Sequence, residues 1–338
     1  MKLGFIGFGP QAKENIIPCC QLISGVEIAG ICEKDAHRRR QAQERFRLDC
    51  GYSDYRQMID DLHPDAVIAA CYPDDHYEIA RFCLDRSIPV FVEKPPAPSS
   101  RHLEELITLA RRKRTTTGVG MNFRFAAVST RLKALASGQL SSISLRHYCN
   151  KPTDPFWNYA STLRSFLHAQ TIHSLDFLID LCGPVDELAV FGGDEASVID
   201  MTVMVTFANG QHASLITANT SPHFVFDFDA VCSDGRHISS SALWHMGVTE
   251  VGKVYANEEE KRWSEHWAPS PLDSGYQRSG YAGQMAEFLA AVEEGRESRI
   301  SFASVAETYR CLDQIESQVA GRRYIPKPAM HSLTREAV

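Results

Sequence analysis

The chain has 338 residues, of which 44% are hydrophobic and 23% charged, and its formal net charge is −7. This length predicts two domains of ordinary size, each able to bury a core. The acidic balance and the absence of a long apolar run argue against a nucleic acid or a membrane as partner. The N-terminal apolar stretch ends at Gly7 without a small-residue cleavage site, which argues against a signal peptide.

Ten cysteines are present, and none has the Cys-x-x-Cys spacing of a zinc ribbon or redox pair. Cys32, Cys71, Cys83 and Cys182 lie in apolar runs, where a reduced cysteine behaves as a small hydrophobic residue. We therefore expect a reducing, cytoplasmic compartment and no metal site.

The first 121 residues alternate between short apolar strands and amphipathic helices. The predicted strands are residues 2–6, 26–32, 66–70, 90–92 and 117–121. The predicted helices include residues 36–46, 77–84 and 101–112, and Ser99 or Ser100 is the expected N-cap of the last. Strand and helix in regular alternation predict an α/β domain with a doubly wound parallel sheet.

From residue 122 to 338 the pattern changes to strands with one apolar face. Ile199, Met201, Val203, Val205 and Phe207 alternate with polar neighbours, and Phe224, Phe226, Phe228 and Ala230 do the same. Such period-two alternation is typical of an open antiparallel sheet. Two helices are predicted near residues 283–293 and 304–319, so the second domain is expected to be α+β with an open, mainly antiparallel sheet.

A glycine-rich motif follows the first predicted strand directly. It reads Gly7-Phe8-Gly9-Pro10-Gln11-Ala12 and leads into a helical stretch. Free backbone N–H groups at such a helix start bind a pyrophosphate. Pro10 suits the first helical turn, and Ala12 still allows close packing. The motif predicts a dinucleotide-binding Rossmann domain over residues 1–121.

Glu33 ends the second predicted strand, where a carboxylate would bind the adenosine ribose hydroxyls and repel a 2′-phosphate. This favours NAD as cofactor. Lys34, Arg38, Arg39 and Arg40 leave NADP as the alternative, because a phosphate would attract these cations, although a solvated helix face explains them equally.

Two further strand ends are expected beside the cofactor. Cys71-Tyr72-Pro73 follows the third strand, and His76 stands either in this loop or at the start of the next helix. Glu93-Lys94-Pro95 follows the fourth strand, so a lysine lies at the edge of an α/β sheet on which ligands bind.

Together, these motifs resemble those of one known family, the glucose–fructose oxidoreductase / inositol dehydrogenase / rhizopine-catabolism family. The resemblance extends over nearly the whole length of the chain. The sequences that carry the resemblance are the glycine loop, Glu93-Lys94-Pro95, Gly118-Val119-Gly120-Met121-Asn122-Phe123-Arg124-Phe125, His173-Ser174-Leu175-Asp176-Phe177-Leu178 and Gln284-Met285-Ala286-Glu287-Phe288. The resemblance implies an NAD(P)-dependent oxidoreductase of two domains. It implies that residues 122–338 bind the substrate. Because an uncovered apolar sheet face is costly in a monomer, these residues are also expected to form the contacts of a homo-dimer or homo-tetramer.

The resemblance also implies the roles of several residues. Lys94 would contact both the substrate hydroxyl and the nicotinamide ribose, and His173 would be the general acid and base. Glu93 and Asn122 are expected beside the cofactor. We further expect Arg124, Trp157 and Gln170 to bind the substrate. A lysine of lowered pKa or a histidine near neutrality suits removal of a hydroxyl proton.

One departure from the family pattern affects the expected pair. Ala169 occupies the position where the family commonly carries an aspartate, four residues before the histidine. Gln170 or Asp176 could hydrogen-bond His173 instead. The expected function is hydride transfer between nicotinamide and a secondary alcohol or ketone of a sugar, sugar derivative or polyol. The alternatives are an imine or ketone reductase of specialised metabolism and a sensor or regulator that binds dinucleotide without turnover.

An aromatic cluster was open to two interpretations. Trp244, Trp263 and Trp267, with His245 and His266, suit either a substrate loop or a packing surface.

Overall fold

The computed structural model describes residues 1–49, 51–251, 262–273 and 275–320. Within them the chain forms a five-stranded sheet followed by an eight-stranded sheet. The predicted fold class is confirmed, since the first sheet is parallel and the second is mostly antiparallel.

The first domain holds short parallel strands joined by helices. The strands are β1 (Lys2–Ile6), β2 (Glu27–Cys32), β3 (Ala66–Ala69), β4 (Val90–Val92) and β5 (Thr117–Val119). The helices are a π-helical turn (Ala12–Ile16) that continues into α1 (Ile17–Gln21), then α2 (Ala36–Phe46), α3 (Tyr55–Leu62), α4 (Pro73–Asp85) and α5 (Ser100–Lys113). The strand order is β2-β1-β3-β4-β5. All five strands therefore end at the same edge of the sheet.

Polar side chains cap the helices of this domain where the sequence supplies them. Asp35 accepts a hydrogen bond from the Arg38 N–H at the start of α2, and Asp54 caps α3 in the same manner. Ser99 caps α5 by accepting from the His102 N–H, which settles the predicted choice between Ser99 and Ser100. Each cap satisfies a backbone donor that the first helical turn leaves free.

The second domain is built on the larger sheet. Its elements are a 3₁₀ turn (Asn122–Phe125), α6 (Ala127–Ala136), β6 (Leu140–Asn150), α7 (Thr162–Phe166), a π-helical turn (Leu167–Thr171), α8 (Ile172–Cys182), β7 (Val185–Glu195), β8 (Val198–Phe207), β9 (His212–Ala218), β10 (Thr220–Cys232), β11 (His237–Ser241), β12 (His245–Val251), β13 (Arg262–Trp267), α9 (Gly275–Arg278), α10 (Tyr281–Glu294), a 3₁₀ turn (Ala303–Val305) and α11 (Ala306–Ala320). The strand order is β13-β12-β11-β10-β6-β9-β8-β7, and only β6 and β9 pair in parallel.

One face of this sheet packs on helices, as its alternation predicts. The alternating residues of β8 that the sequence predicts for this face, Ile199, Met201, Val203, Val205 and Phe207, are all buried. Phe177 of α8 packs against Phe226 and Phe228 of β10, with ring centroids 5.4 and 5.9 Å apart. Phe224 contacts the same His147 ring as Phe226 but is 50% exposed, because it faces an open cleft.

The two domains are in direct contact beside the first sheet. The rings of Phe91 on β4 and Phe288 on α10 are 5.6 Å apart. The Tyr309 hydroxyl of α11 donates to the Ala97 carbonyl at 2.6 Å, in the loop that follows Lys94. Elements of the second domain therefore hold the edge of the sheet at which the predicted site residues lie.

Candidate active site

A cleft of about 1350 Å³ runs along the carboxyl-terminal edge of the first sheet and reaches the second sheet. It brings together most of the residues that the sequence predicts for cofactor and substrate. These are Gly7, Gly9, Pro10, Gln11, Glu33, Cys71, Tyr72, Pro73, Glu93, Lys94, Asn122, Trp157, Gln170 and His173. Both domains contribute side chains, so the cleft is shared between them.

The glycine loop fits a dinucleotide. Gly7 has φ +94°, and a Cβ there would lie 2.5 Å from the Ala70 carbonyl, so only glycine allows β1 and β3 to approach this closely. A Cβ on Gly9 would meet nothing within 4 Å, and Gly9 lines the cleft. The bare backbone therefore faces open space at the start of a helix, where a pyrophosphate binds.

The Glu33 carboxylate lies at the same end of the cleft. It accepts hydrogen bonds from the Phe8 and Asp35 N–H groups, both at 2.9 Å, so two backbone donors fix its position. The Lys34 ammonium pairs with Asp75 at 2.9 Å. The Arg38 guanidinium lies 3.9 Å from Glu33. Two of the four cations that would attract a 2′-phosphate, Lys34 and Arg38, therefore already have carboxylate partners.

Glu93 lies beneath the opposite end of the cleft. It is 7% exposed, accepts from the Lys94 N–H at 3.2 Å and contacts the Gln11 amide at 3.4 Å. A Cβ on Gly120 would come within 2.6 Å of this carboxylate, so Gly120 is the residue that makes room for it. Burial raises the pKa of Glu93, and the neighbouring Lys94 opposes that rise.

The Lys94 ammonium points into the cleft from the end of β4. Its Nζ donates to the Ala169 carbonyl at 2.9 Å and lies 5.0 Å from the ring centre of Trp157. Burial lowers the pKa of Lys94 to about 8, which Glu93 opposes and Lys151 reinforces. A lysine with this pKa exchanges a proton readily near neutral pH.

The Ala169 carbonyl belongs to the π-helical turn between α7 and α8. π-helical turns are rare and occur frequently at functional sites. Trp157, on the other side of the ammonium, has a left-handed backbone with φ 56°, which is costly for a residue with a side chain. Two unusual backbone segments therefore position Lys94.

His173 lies on α8, two residues beyond the end of this turn. Its ring packs against Phe123 with centroids 4.8 Å apart, and its Nδ1 has no hydrogen-bond partner among the described residues. Burial lowers the pKa of His173 well below its usual value, and Lys94 and His147 add to the shift. The imidazole is therefore neutral at ordinary pH.

Neither residue proposed to replace the missing aspartate contacts His173. The Gln170 amide donates to the His147 carbonyl at 2.9 Å and to Thr217, and its oxygen accepts from the Cys149 thiol. Asp176 instead forms an ion pair with Arg124. Both expectations are corrected, because other buried partners already occupy these side chains.

Arg124 is also reassigned by the structure. It is 6% exposed, and its guanidinium bonds Asp176, the Arg299 carbonyl and Ser304. It does not line the cleft, so its role is to join the 3₁₀ turn, α8 and the segment before α11 rather than to bind substrate.

Three residues predicted to bind the cofactor lie behind the cleft surface. The side chains of Phe8 and Ala12 are buried in the core, and Phe8 contributes its N–H to Glu33. His76 is 1% exposed, and its Nδ1 lies 2.9 Å from the Pro95 carbonyl. Burial lowers the pKa of His76 to about 4, so it braces the Lys94 loop as a neutral ring.

The sequence predictions missed several residues of the cleft wall. These are His147, Cys149, Lys151, Phe123, Phe224 and Tyr281. The sequence feature that could have identified His147, Cys149 and Lys151 is their spacing of two residues at the end of β6, which places them on one face of an extended chain.

The aromatic cluster lies on the hairpin of β12 and β13 and does not line the cleft. Arg278 lies 4.4 Å from the Trp244 ring centre and Arg131 lies 5.0 Å from that of Trp267. The side chain of Trp263 falls outside the described residues. The described part of the cluster is therefore a packing surface at the sheet edge.

Two classes of site find no support in the described parts of the chain. They hold no group of three or more His, Cys, Asp or Glu residues that could bind a metal ion. Nor is any helix described there both long and apolar enough to span a bilayer.

Comparison with known proteins defines the class of protein. Residues 1–121 match the model of an oxidoreductase family with an NAD-binding Rossmann fold. The crystal structure of a dehydrogenase from Chromobacterium violaceum is 34% identical, has a TM-score of 0.89 and covers 95% of each chain. The chain thus belongs to the Gfo/Idh/MocA family of oxidoreductases, and its cofactor is NAD.

More distant relatives are named inositol dehydrogenases. The myo-inositol 2-dehydrogenase of Thermotoga maritima is 23% identical over 89% of this chain and 91% of its own. The inositol 2-dehydrogenase of Salmonella paratyphi B is 24% identical, but there the match spans only 53% of each protein.

Proposed function

We propose that this protein is an NAD(H)-dependent oxidoreductase that acts on a secondary alcohol or ketone of a sugar, sugar derivative or polyol. The observation that carries the proposal is Lys94, a lysine with a lowered pKa at the junction of the cofactor and substrate parts of one cleft. The names of the inositol dehydrogenase relatives support the substrate class.

The residues divide the work of binding. The backbone of Gly7 and Gly9 would hold the pyrophosphate and Glu33 the adenosine ribose, while Asn122 lies at the junction with the second domain. When bound, NAD accepts or supplies the hydride. The side chains of the cleft then have to bind the substrate and move the hydroxyl proton.

Lys94 is the proposed acid and base. In its neutral form Nζ takes the proton of the substrate hydroxyl, and in its charged form it returns a proton to a carbonyl oxygen. The Ala169 carbonyl and the Trp157 ring hold Nζ in place for either direction. A positioned group of this kind contributes roughly 10²–10⁴-fold to a rate.

His173 has the smaller proposed role. Its neutral imidazole can accept or donate one hydrogen bond to the substrate, but no carboxylate in the described residues stabilises an imidazolium at this position. Its contribution should therefore lie near the lower end of that range, roughly 10²-fold. We also propose that the protein is a cytoplasmic homo-dimer or homo-tetramer.

The proposal is tested with a panel of neutral polyols, aldoses, sugar acids and ketones, measured as NAD⁺ reduction or NADH oxidation. Turnover of at least one polyol or sugar is expected. An imine or ketone alone as substrate would favour the reductase of specialised metabolism. NAD(H) binding without any turnover across the panel would favour the sensor.

A further inference from the structure

The end of β6 presents three chemically active side chains to the cleft. His147, Cys149 and Lys151 follow one another at every second residue, so they lie on the same face of the extended chain. All three line the cleft. The Lys151 N–H donates to the Asn219 carbonyl at 2.8 Å, which fixes the backbone at this position.

The Lys151 ammonium has no carboxylate within 4.0 Å and no hydrogen-bond partner among the residues that the structure describes. Other cations near the cleft differ in this respect. Lys34 pairs with Asp75 and Arg38 lies near Glu33, while Lys94 donates to the Ala169 carbonyl. Lys151 is therefore a partly buried positive charge available to a ligand.

Two carboxylates that line the same cleft, Glu93 and Asp74, already have hydrogen-bond partners. Glu93 is buried below the site and accepts from the Lys94 N–H. Asp74 is exposed at the rim and accepts from the Asn158 amide. The Ala169 side chain adds no charge between Lys94 and His173. Neither of these two carboxylates is paired with Lys151.

Lys151 is close enough to act on the reacting groups. Its charge contributes to the lowered pKa values of Lys94, His147 and His173. Lys151 lines the cleft wall together with His147 and Cys149, which places its side chain in the substrate region.

We propose that the natural substrate is a sugar acid, and that Lys151 binds its carboxylate while Lys94 meets the reacting hydroxyl. This inference rests on the proposed function and specifies its substrate class. A carboxylate suits this site better than a phosphate. One ammonium with the amide of Asn150 matches a single negative charge. Phosphates are typically bound by arginine forks or several backbone donors.

The test compares matched pairs of substrates that differ only in the carboxylate. We would measure kcat/KM for NAD⁺ reduction with glucuronate against glucose and galacturonate against galactose. The variants are Lys151→Met, Lys151→Arg and the surface control Lys2→Met. Loss of a charge-assisted hydrogen bond should lower kcat/KM for the acids about 10- to 100-fold in Lys151→Met. The kcat/KM for the neutral sugars should change much less, since it responds only through the pKa of Lys94, which the Lys151 charge helps to lower. Lys151→Arg should retain most of the preference for the acids.

A binding measurement separates this inference from the proposed function. Calorimetric titration of the NADH-loaded protein with the same acids and neutral sugars requires no turnover. A preference for the acids that Lys151→Met removes supports the inference even if no sugar is oxidised. Equal binding and equal turnover of acid and neutral partners, unchanged by Lys151→Met, would overturn it.

Discussion

At the residue scale, the choice of cofactor depends on Glu33. Its carboxylate is fixed by the Phe8 and Asp35 N–H groups at the cleft wall, and Lys34 is paired with Asp75. We expect the protein to bind NAD(H) more tightly than NADP(H). Glu33→Ala should reduce this difference in affinity, because the substitution removes the carboxylate that repels a 2′-phosphate. Calorimetric titration with both cofactors measures this. Tighter NADP(H) binding by the unmodified protein would contradict the assignment of Glu33.

The lowered pKa of Lys94 has a consequence for the pH profile. With a pKa of about 8, the neutral base accumulates above pH 8 and the ammonium below it. The kcat/KM for alcohol oxidation should therefore rise with pH and level off above about 8, and that for ketone reduction should fall over the same interval. Initial rates in both directions from pH 6 to 10 test this. A flat profile in both directions would exclude Lys94 as the proton carrier.

The site was predictable from the sequence where a residue's place follows from the end of a strand. Gly7, Glu33, Cys71 and Lys94 were located in this way, because parallel strands bring their carboxyl ends together. Arg124 was assigned to the substrate because the sequence does not show its buried partner Asp176. Lys151 was missed because only the folded second domain turns the end of β6 toward the first sheet.

At the scale of elements, the two π-helical turns could not be predicted from the sequence. One follows the glycine loop at Ala12–Ile16, and the other, Leu167–Thr171, provides the carbonyl that bonds Lys94. Both stretches have the composition of an ordinary α-helix. A π-helical turn adds one residue to a helical turn, and five residues are too few for this to show in the spacing of the apolar residues. In the second sheet the sequence predicted β8 and part of β10, whose apolar faces alternate over many residues, but it did not predict β6, β7, β9 or β11 to β13.

The outer face of the second sheet carries exposed apolar residues that suit a contact between subunits. Met204 of β8 and Val231 of β10 are 40% and 48% exposed on the face opposite the helices. We expect light scattering to show a dimer or a larger oligomer. Met204→Arg should weaken the association, because the sheet of a second subunit would bury the arginine charge without a partner. The matched control is Leu22→Arg, since Leu22 is 66% exposed away from this sheet. A monomer at high micromolar concentration would remove the sheet as an interface.

At the scale of the whole molecule, the cleft is completed by both domains. The first supplies the glycine loop, Glu33 and Lys94, and the second supplies Ala169 and His173. The contacts of Phe91 with Phe288 and of Ala97 with Tyr309 hold the two domains together beside the cleft. In the proposed mechanism, dinucleotide binding depends chiefly on the first domain, whereas proton transfer needs residues of both domains. Substitutions should therefore separate the two activities.

The most direct measurement uses this separation. Lys94→Ala should reduce turnover of the best substrate roughly 10²–10⁴-fold while NAD(H) binding stays close to that of the unmodified protein. His173→Ala should cost less, and the surface variant Lys2→Met should change neither quantity. Steady-state rates and calorimetric titration of NAD(H) on the same preparations give both values. Full activity of Lys94→Ala on that substrate would contradict the proposed mechanism.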